Sequence, residues 1–265
     1  MENRIYINTG ALEIYRWAPS CPLTERPITL NISEWVPQIA AAGFDGIELW
    51  EPHAMRCGAA ERTAQQKKLA PLAVFNCYVD FGHIPDASAR SVAARIGELN
   101  SHLVKYTLPR RIPLATAIAN LRLWSEELPE ETILCNEIHA NCYGETPAEA
   151  AQLRTLLPEP RWGEIIHLAE PVEKMRALFD VLGDRIRHCH AVFCDTLMPQ
   201  GELQPCAPGS RNPQLRVLAG LNYQGSFSIE FVRGARWNVV LPEPDAAESL
   251  RFAAEDARKI REFTR

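Results

Sequence analysis

The chain has 265 residues, 46% of them hydrophobic, and a formal net charge of −5. That length suits one large domain, taken as residues 1–265. The acidic balance argues against nucleic acid, whose phosphates need a basic face, and no run approaches the roughly 18–20 apolar residues that cross a bilayer.

The first strand-like run is RIYINTG (4–10), and no basic or apolar leader of the signal-peptide kind precedes it. ISEWVPQIAAAG (32–43) reads as a helix with Ser33 as N-cap and Gly43 as stop, although Pro37 sits awkwardly inside it. DGIELW (45–50) and LAVFNCYV (72–79) are the second and third strands. SARSVAARIGELN (88–100) and PLATAIANLRLWSEEL (113–128) show apolar spacings of three and four, and they flank the fourth strand, HLVKYTL (102–108). TILCNEIHA (132–140) is the fifth strand. The helix TPAEAAQLRTLL (146–157) then opens on a capping-box-like Thr-Pro-x-Glu. GEIIHLA (163–169) leads to EPVEKMRALFDVLG (170–183), a helix that ends at Gly183. RIRHCHAVF (185–193) is followed by an irregular Pro- and Gly-rich stretch, 194–213. GSFSIEFV (225–232) and the helix PDAAESLRFAAEDARKIREF (244–263) close the chain.

Eight strand-then-helix units over about 250 residues predict an α/β fold, a closed (β/α)8 TIM barrel. INTGALE lacks the GxGxxG of a dinucleotide-binding sheet. The eight cysteines are scattered with no CxxC pair, so reduced thiols and a cytoplasmic location are expected. Cys135 and Cys189 read as small core residues.

Glu48, between Ile47 and Leu49, breaks an otherwise apolar strand. A carboxylate in a closed core costs several kcal/mol unless it is paired. Barrel strands alternate between interior and helix layer, so Ile47 and Leu49 would face the helices. Glu48 and Trp50 would face inward near the C-terminal rim, where active sites form in this architecture. The pattern recurs. Strand five carries Glu137 and His139, and strand six carries Glu164 with His167 three residues on. Strand seven carries His188 and His190, and the last strand carries Glu230 between Ile229 and Phe231. Converging carboxylates repel unless a divalent cation neutralises them. The expected ligands are Glu137, Glu164, His190 and Glu230, for Mn²⁺, Mg²⁺ or Co²⁺, with Zn²⁺ also compatible. Two of the glutamates then double as acid and base beside a carbonyl. His188, deeper in its strand, reads as structural. Lys105 reads equally as facing the cavity or the helices.

These segments resemble the xylose isomerase-like TIM-barrel superfamily, the sugar phosphate isomerases and epimerases. AAGFDGIELW is similar to its second-strand signature, with Glu48, and NEIHANCYGETPAEAAQL to its fifth-strand segment. RIRHCHAVFCD and GSFSIEFVRG are similar to its seventh and last strands. The resemblance covers essentially the whole chain. It implies that Glu137 and Glu230 are both metal ligands and the acid/base pair, that His190 is the metal-binding histidine, and that Arg211 contacts substrate. In the sixth strand the family usually has Asp-x-x-His; here Glu164-Ile-Ile-His167 puts a ligand one methylene longer. Family members commonly form dimers or tetramers, which makes a homo-oligomer the implied state.

Trp50 and His53 would sit above Glu48, an aromatic face beside polar groups that suits a sugar ring. Glu48, His139 and His167 join them as substrate-facing residues, Glu48 hydrogen-bonded rather than ligating. The expected activity is a metal-dependent isomerase or epimerase of a small sugar or polyol derivative. It would move a proton at the carbon alpha to a carbonyl held by the metal. One rival is a lyase that dehydrates a polyol-type keto compound at the same site, with His53 or His167 as general acid. The other is a metal-free sugar-binding or regulatory barrel.

Overall fold

The computed structural model describes residues 3–13, 28–197, 203–234 and 245–264. Seven strands come first: β1 Ile5–Asn8, β2 Gly46–Trp50, β3 Val74–Asn76, β4 Leu103–Tyr106, β5 Ile133–Glu137, β6 Trp162–His167 and β7 Ile186–Val192. An antiparallel hairpin follows, β8 Cys194–Leu197 with β9 Leu203–Pro205, and then β10 Ser226–Phe231. β1 to β7 and β10 form a closed parallel barrel in sequence order, with β10 returning to β1 through Ile5 opposite Phe227. This is the expected (β/α)8 barrel. Each barrel strand overlaps its predicted run, β6 starting one residue early at Trp162, while the β8–β9 hairpin forms in the stretch 194–213 expected to be irregular.

The helices are α1 Ile32–Ala41, α2 Glu51–Met55, α3 Ala59–Leu69, α4 Ala87–Glu98, α5 Leu114–Ser125, α6 Pro147–Leu156, α7 Val172–Leu182, α8 Asn212–Gly220 and α9 Ala246–Thr264. The capping box at Thr146 and Glu149 forms as predicted, and Gly183 ends α7 at φ +57. At α1 Pro37 lies inside the helix and Gly43 follows its end at φ +90 as expected, but the N-cap differs. Asn31 is the N-cap, and Ser33 lies inside the helix with its N–H and hydroxyl both donating to Glu61. Sequence reading missed α2, α3 and α8. The buried face of α3 explains its own omission, because it is partly polar: Glu61 and Gln65 are buried there beside Leu69. Gln65 accepts from the fully buried Arg95 of α4 at 2.7 Å, so polar pairing replaces the apolar stripe that marks a helix.

Alternation along the strands decides what positions the site. Ile7, Leu49, Phe75, Val104, Leu134, Ile166, Cys189 and Ile229 join the core shared with the helices. Each such fully buried side chain contributes roughly 1.5–3 kcal/mol. Inside the barrel a separate cluster of Tyr6, Val74, Leu103, Cys135 and Ile165 forms a mainly apolar plug. Burial pushes the thiols of Cys77, Cys135 and Cys189 well up, as expected of inert interior groups. Among the described residues no helix is long and apolar enough to cross a membrane.

The turn into β10 demands a glycine. A Cβ on Gly225 would stand 2.6 Å from the Arg187 carbonyl oxygen and 2.3 Å from the Tyr223 hydroxyl. That hydroxyl is itself held on Ser226 O at 3.0 Å. Gly225→Ala is expected to lower stability by about 2–3 kcal/mol, read as a shifted urea midpoint at unchanged slope.

Candidate active site

Two residues beyond each member of the plug, the interior turns polar. Asn8 follows Tyr6, Asn76 follows Val74, Lys105 follows Leu103, Glu137 follows Cys135 and His167 follows Ile165. The register puts Asn8 beside Glu48, Asn76 beside Lys105, His167 beside His190 and His190 beside Ser228. With Glu230 one further residue pair along β10, a ring of polar side chains stands at the C-terminal end of the barrel. The other end has a hollow of about 1230 Å³, lined by Arg4, Asp45, His102 and Arg187 among others. It lies on the N-terminal face, away from the converging carboxylates and imidazoles, where this architecture keeps stability rather than chemistry.

His190 is the hub of the ring. Its Nδ1 lies 2.9 Å from Glu137 Oε1 and 3.4 Å from Glu230 Oε2, and its Nε2 lies 3.2 Å from Glu48 Oε2. The last is a charge contact rather than an aligned hydrogen bond. His167 bridges the two outer carboxylates, with Nε2 3.2 Å from Glu137 Oε1 and Nδ1 3.8 Å from Glu230 Oε2. Glu48 Oε1 accepts from Asn8 at 2.7 Å and Asn76 at 2.6 Å. His188 is fixed by Ser226 at 2.7 Å and Ser228 at 2.9 Å, with Nε2 3.4 Å from Glu48.

The charges are strongly coupled. Burial acts to raise the carboxyls of Glu48 and Glu137. The surrounding cations and imidazoles outweigh it and hold both well below the ordinary range: His190 and His188 at Glu48, and Lys105, His167 and His190 at Glu137. Burial also opposes charge on His190, but Glu48, Glu230 and Glu137 keep its imidazole raised well above its usual value. Burial lowers His188, against the raising effect of Glu48. The cavity therefore gathers positive charge, which a proton on His190 supplies in part.

Glu137, His167, His190 and Glu230 each offer a ligand atom, all within 4.8 Å of one another; Glu48, His188 and His190 form a second such group. The residues fit a divalent cation. Bonds of about 2.1 Å place adjacent ligand atoms roughly 3.0–3.4 Å apart, and the spacings around Glu137, His190 and Glu230 fall at 2.9 and 3.4 Å. Two carboxylates with two imidazoles is a donor set for Mn²⁺, Co²⁺ or Zn²⁺, and for Mg²⁺ with added water.

The predicted ligands Glu137, His190 and Glu230 are brought together. Glu164 is not, and His167 takes its place. Glu164 shares the outward face of β6 with Trp162 and Ile166, and accepts from Asn136 at 3.0 Å in the helix layer. Residues three apart on a strand face opposite ways, so Glu164 and His167 could not both point inward. Glu48 faces the interior as predicted. Trp50 and His53 are fully buried, ring to ring at 5.2 Å, and His53 is engaged by Thr9 at 2.9 Å and Glu13 at 3.2 Å. They are packed against Thr9 and Glu13 rather than forming an exposed aromatic platform. His139 lies beyond the end of β5, where alternation no longer holds. It is exposed, although its ring meets that of His167 at 5.9 Å. Arg211 precedes α8 and donates from Nε to Val192 O at 3.1 Å. Sequence reading left out Asn8, Asn76 and Ser228, and left Lys105 open. Counting by two from Glu48 and Glu137 along paired strands finds all four.

No protein-family model matches the sequence, and no curated protein does. Solved structures do match in shape. A D-psicose 3-epimerase with D-tagatose from Clostridium cellulolyticum H10 is 13% identical, with 98% of each chain covered and a TM-score of 0.65. The probable 3-DHS dehydratase AsbF from Bacillus anthracis is 13% identical, over 96% of this chain and 98% of that one, with TM-score 0.65. A xylose isomerase-like TIM barrel protein from Mycobacterium smegmatis in complex with magnesium is 13% identical, over 99% and 96%, with TM-score 0.60. The fold is the closed (β/α)8 barrel that these structures share. At such low identity this likeness speaks to architecture, and the chemistry has to be read from the ring itself.

Proposed function

We propose that the chain is a divalent-metal-dependent isomerase or epimerase of a small sugar or polyol derivative. The observation that carries this reading is the convergence of Glu137, His167, His190 and Glu230, with ligand atoms within 4.8 Å, at the C-terminal mouth of the barrel. These four residues would hold the ion, which when bound would supply a Lewis acid for a substrate carbonyl. Glu137 and Glu230 are the paired carboxylates. One takes the proton from the carbon alpha to the carbonyl as the C–H electron pair moves into an enediol, and the other returns a proton.

The same carboxylate pair supports a second reading. Loss of a β-hydroxyl needs a general acid, and the carboxyl that has taken the α-proton can pass it to that hydroxyl as it leaves as water, so a dehydratase of a polyol-type keto compound uses the same machinery.

The test is to load purified protein with Mn²⁺ and incubate it with ketoses and cyclic polyol ketones in D2O. The metal is quantified by elemental mass spectrometry and deuterium at carbon by NMR. About one ion per chain and substrate-dependent exchange are expected, with both lost in Glu137→Gln/Glu230→Gln. No uptake from excess Mn²⁺ together with no exchange would refute the proposal.

A further inference from the structure

Lys105 has no task in the scheme above, yet it sits inside the barrel at 3% exposure with Nζ 2.8 Å from Glu137 Oε2. Its ammonium also lies 4.7 Å over the ring of Tyr78. The two oxygens of Glu137 are thus divided. Oε2 faces a cation, while Oε1 faces the imidazoles of His190 at 2.9 Å and His167 at 3.2 Å. A buried ammonium costs several kcal/mol without a partner, so Lys105 and Glu137 hold each other in place. A site built only to capture a divalent ion gains nothing from a cation on a ligand carboxylate. Lys105 changes both the geometry and the charge that such an ion meets.

We propose that Lys105 is a positioning residue for the metal site: it occupies Oε2, confines Glu137 to ligation through Oε1, and makes the site hold its divalent ion more loosely. This rests on the reading of the four-residue cluster as a metal site. The consequence has an unusual sign. Loss of a supporting partner ordinarily weakens metal binding by about 10–100-fold. Loss of a like charge a few ångströms from a divalent ion strengthens it, and frees Oε2 as a further ligand atom.

The experiment is Co²⁺ binding by calorimetry and visible absorption for the wild type, Lys105→Met, Lys105→Arg and Glu137→Gln. Lys105→Met is expected to bind Co²⁺ about tenfold tighter or more, with an altered absorption band as Oε2 becomes available. Lys105→Arg keeps the charge and stays within about threefold of the wild type. Equal or weaker binding by Lys105→Met with a cooperative melt overturns the proposal. If Lys105→Met does not melt cooperatively, Lys105→Gln carries the same expectation and the same refutation. Uptake by the methionine variant but not by the wild type supports the role of Lys105 while refuting the metal-dependent activity. Uptake by neither refutes both.

Discussion

His190→Ala is expected to weaken Co²⁺ or Mn²⁺ binding by about a hundredfold or more and to destabilise the fold by roughly 3–5 kcal/mol. The first effect follows from position, since Nδ1 touches both carboxylates that would share the ion. The second follows from what is left behind. Glu48 is fully buried and held well below the ordinary carboxylate range, chiefly by His190 against the opposing effect of burial. Without that imidazole the carboxylate keeps Asn8 and Asn76 on one oxygen and only His188, 3.4 Å away, near the other. Urea unfolding measures the stability change and a Co²⁺ titration the binding change. Undiminished Co²⁺ binding in the variant would place the ligands elsewhere.

Glu164 gives the second large effect, in pH rather than metal. Burial pushes its carboxyl from 4.5 up to about 8, against the lowering hydrogen bond of Asn136 and charge of Arg185. The folded state therefore binds this proton more tightly than the unfolded state does. The associated stability is full below about pH 4.5 and is lost as pH rises through about 8. At roughly 1.4 kcal/mol per pH unit, the loss over the shift from 4.5 to about 8 is of the order of 5 kcal/mol. Glu164→Gln keeps the shape and removes the titration. Relative to the wild type it is expected to gain stability from pH 5 to pH 9, approaching that amount. Parallel pH profiles of the two urea midpoints would contradict this.

The same residue shows what the sequence could and could not convey. Eight apolar runs between breakers carried the barrel, because strands buried on both faces read as near-continuous hydrophobic segments. Glu137, His190 and Glu230 stood out as charges in such runs. Glu164 stood out equally, yet it belongs to the helix layer, where Asn136 pairs it. A buried carboxyl satisfied by an amide and one poised for chemistry look alike in sequence; only parity separates them. The register between β6 and β7 shifts at Glu164 and Ile165, which further hides that parity. Asn8, Asn76 and Ser228 are small polar residues with no charge to betray them. α3 was missed because Glu61, Gln65 and Arg95 satisfy one another where an apolar stripe was sought.

Every barrel strand contributes to the polar ring: Asn8, Glu48, Asn76, Lys105, Glu137, His167, His188 with His190, and Ser228 with Glu230. None of these side chains comes from a connecting loop. Under the proposed function, the groups that would move protons and the loop segments that would select a substrate are separate parts of the chain, the arrangement on which new specificities are most readily grafted.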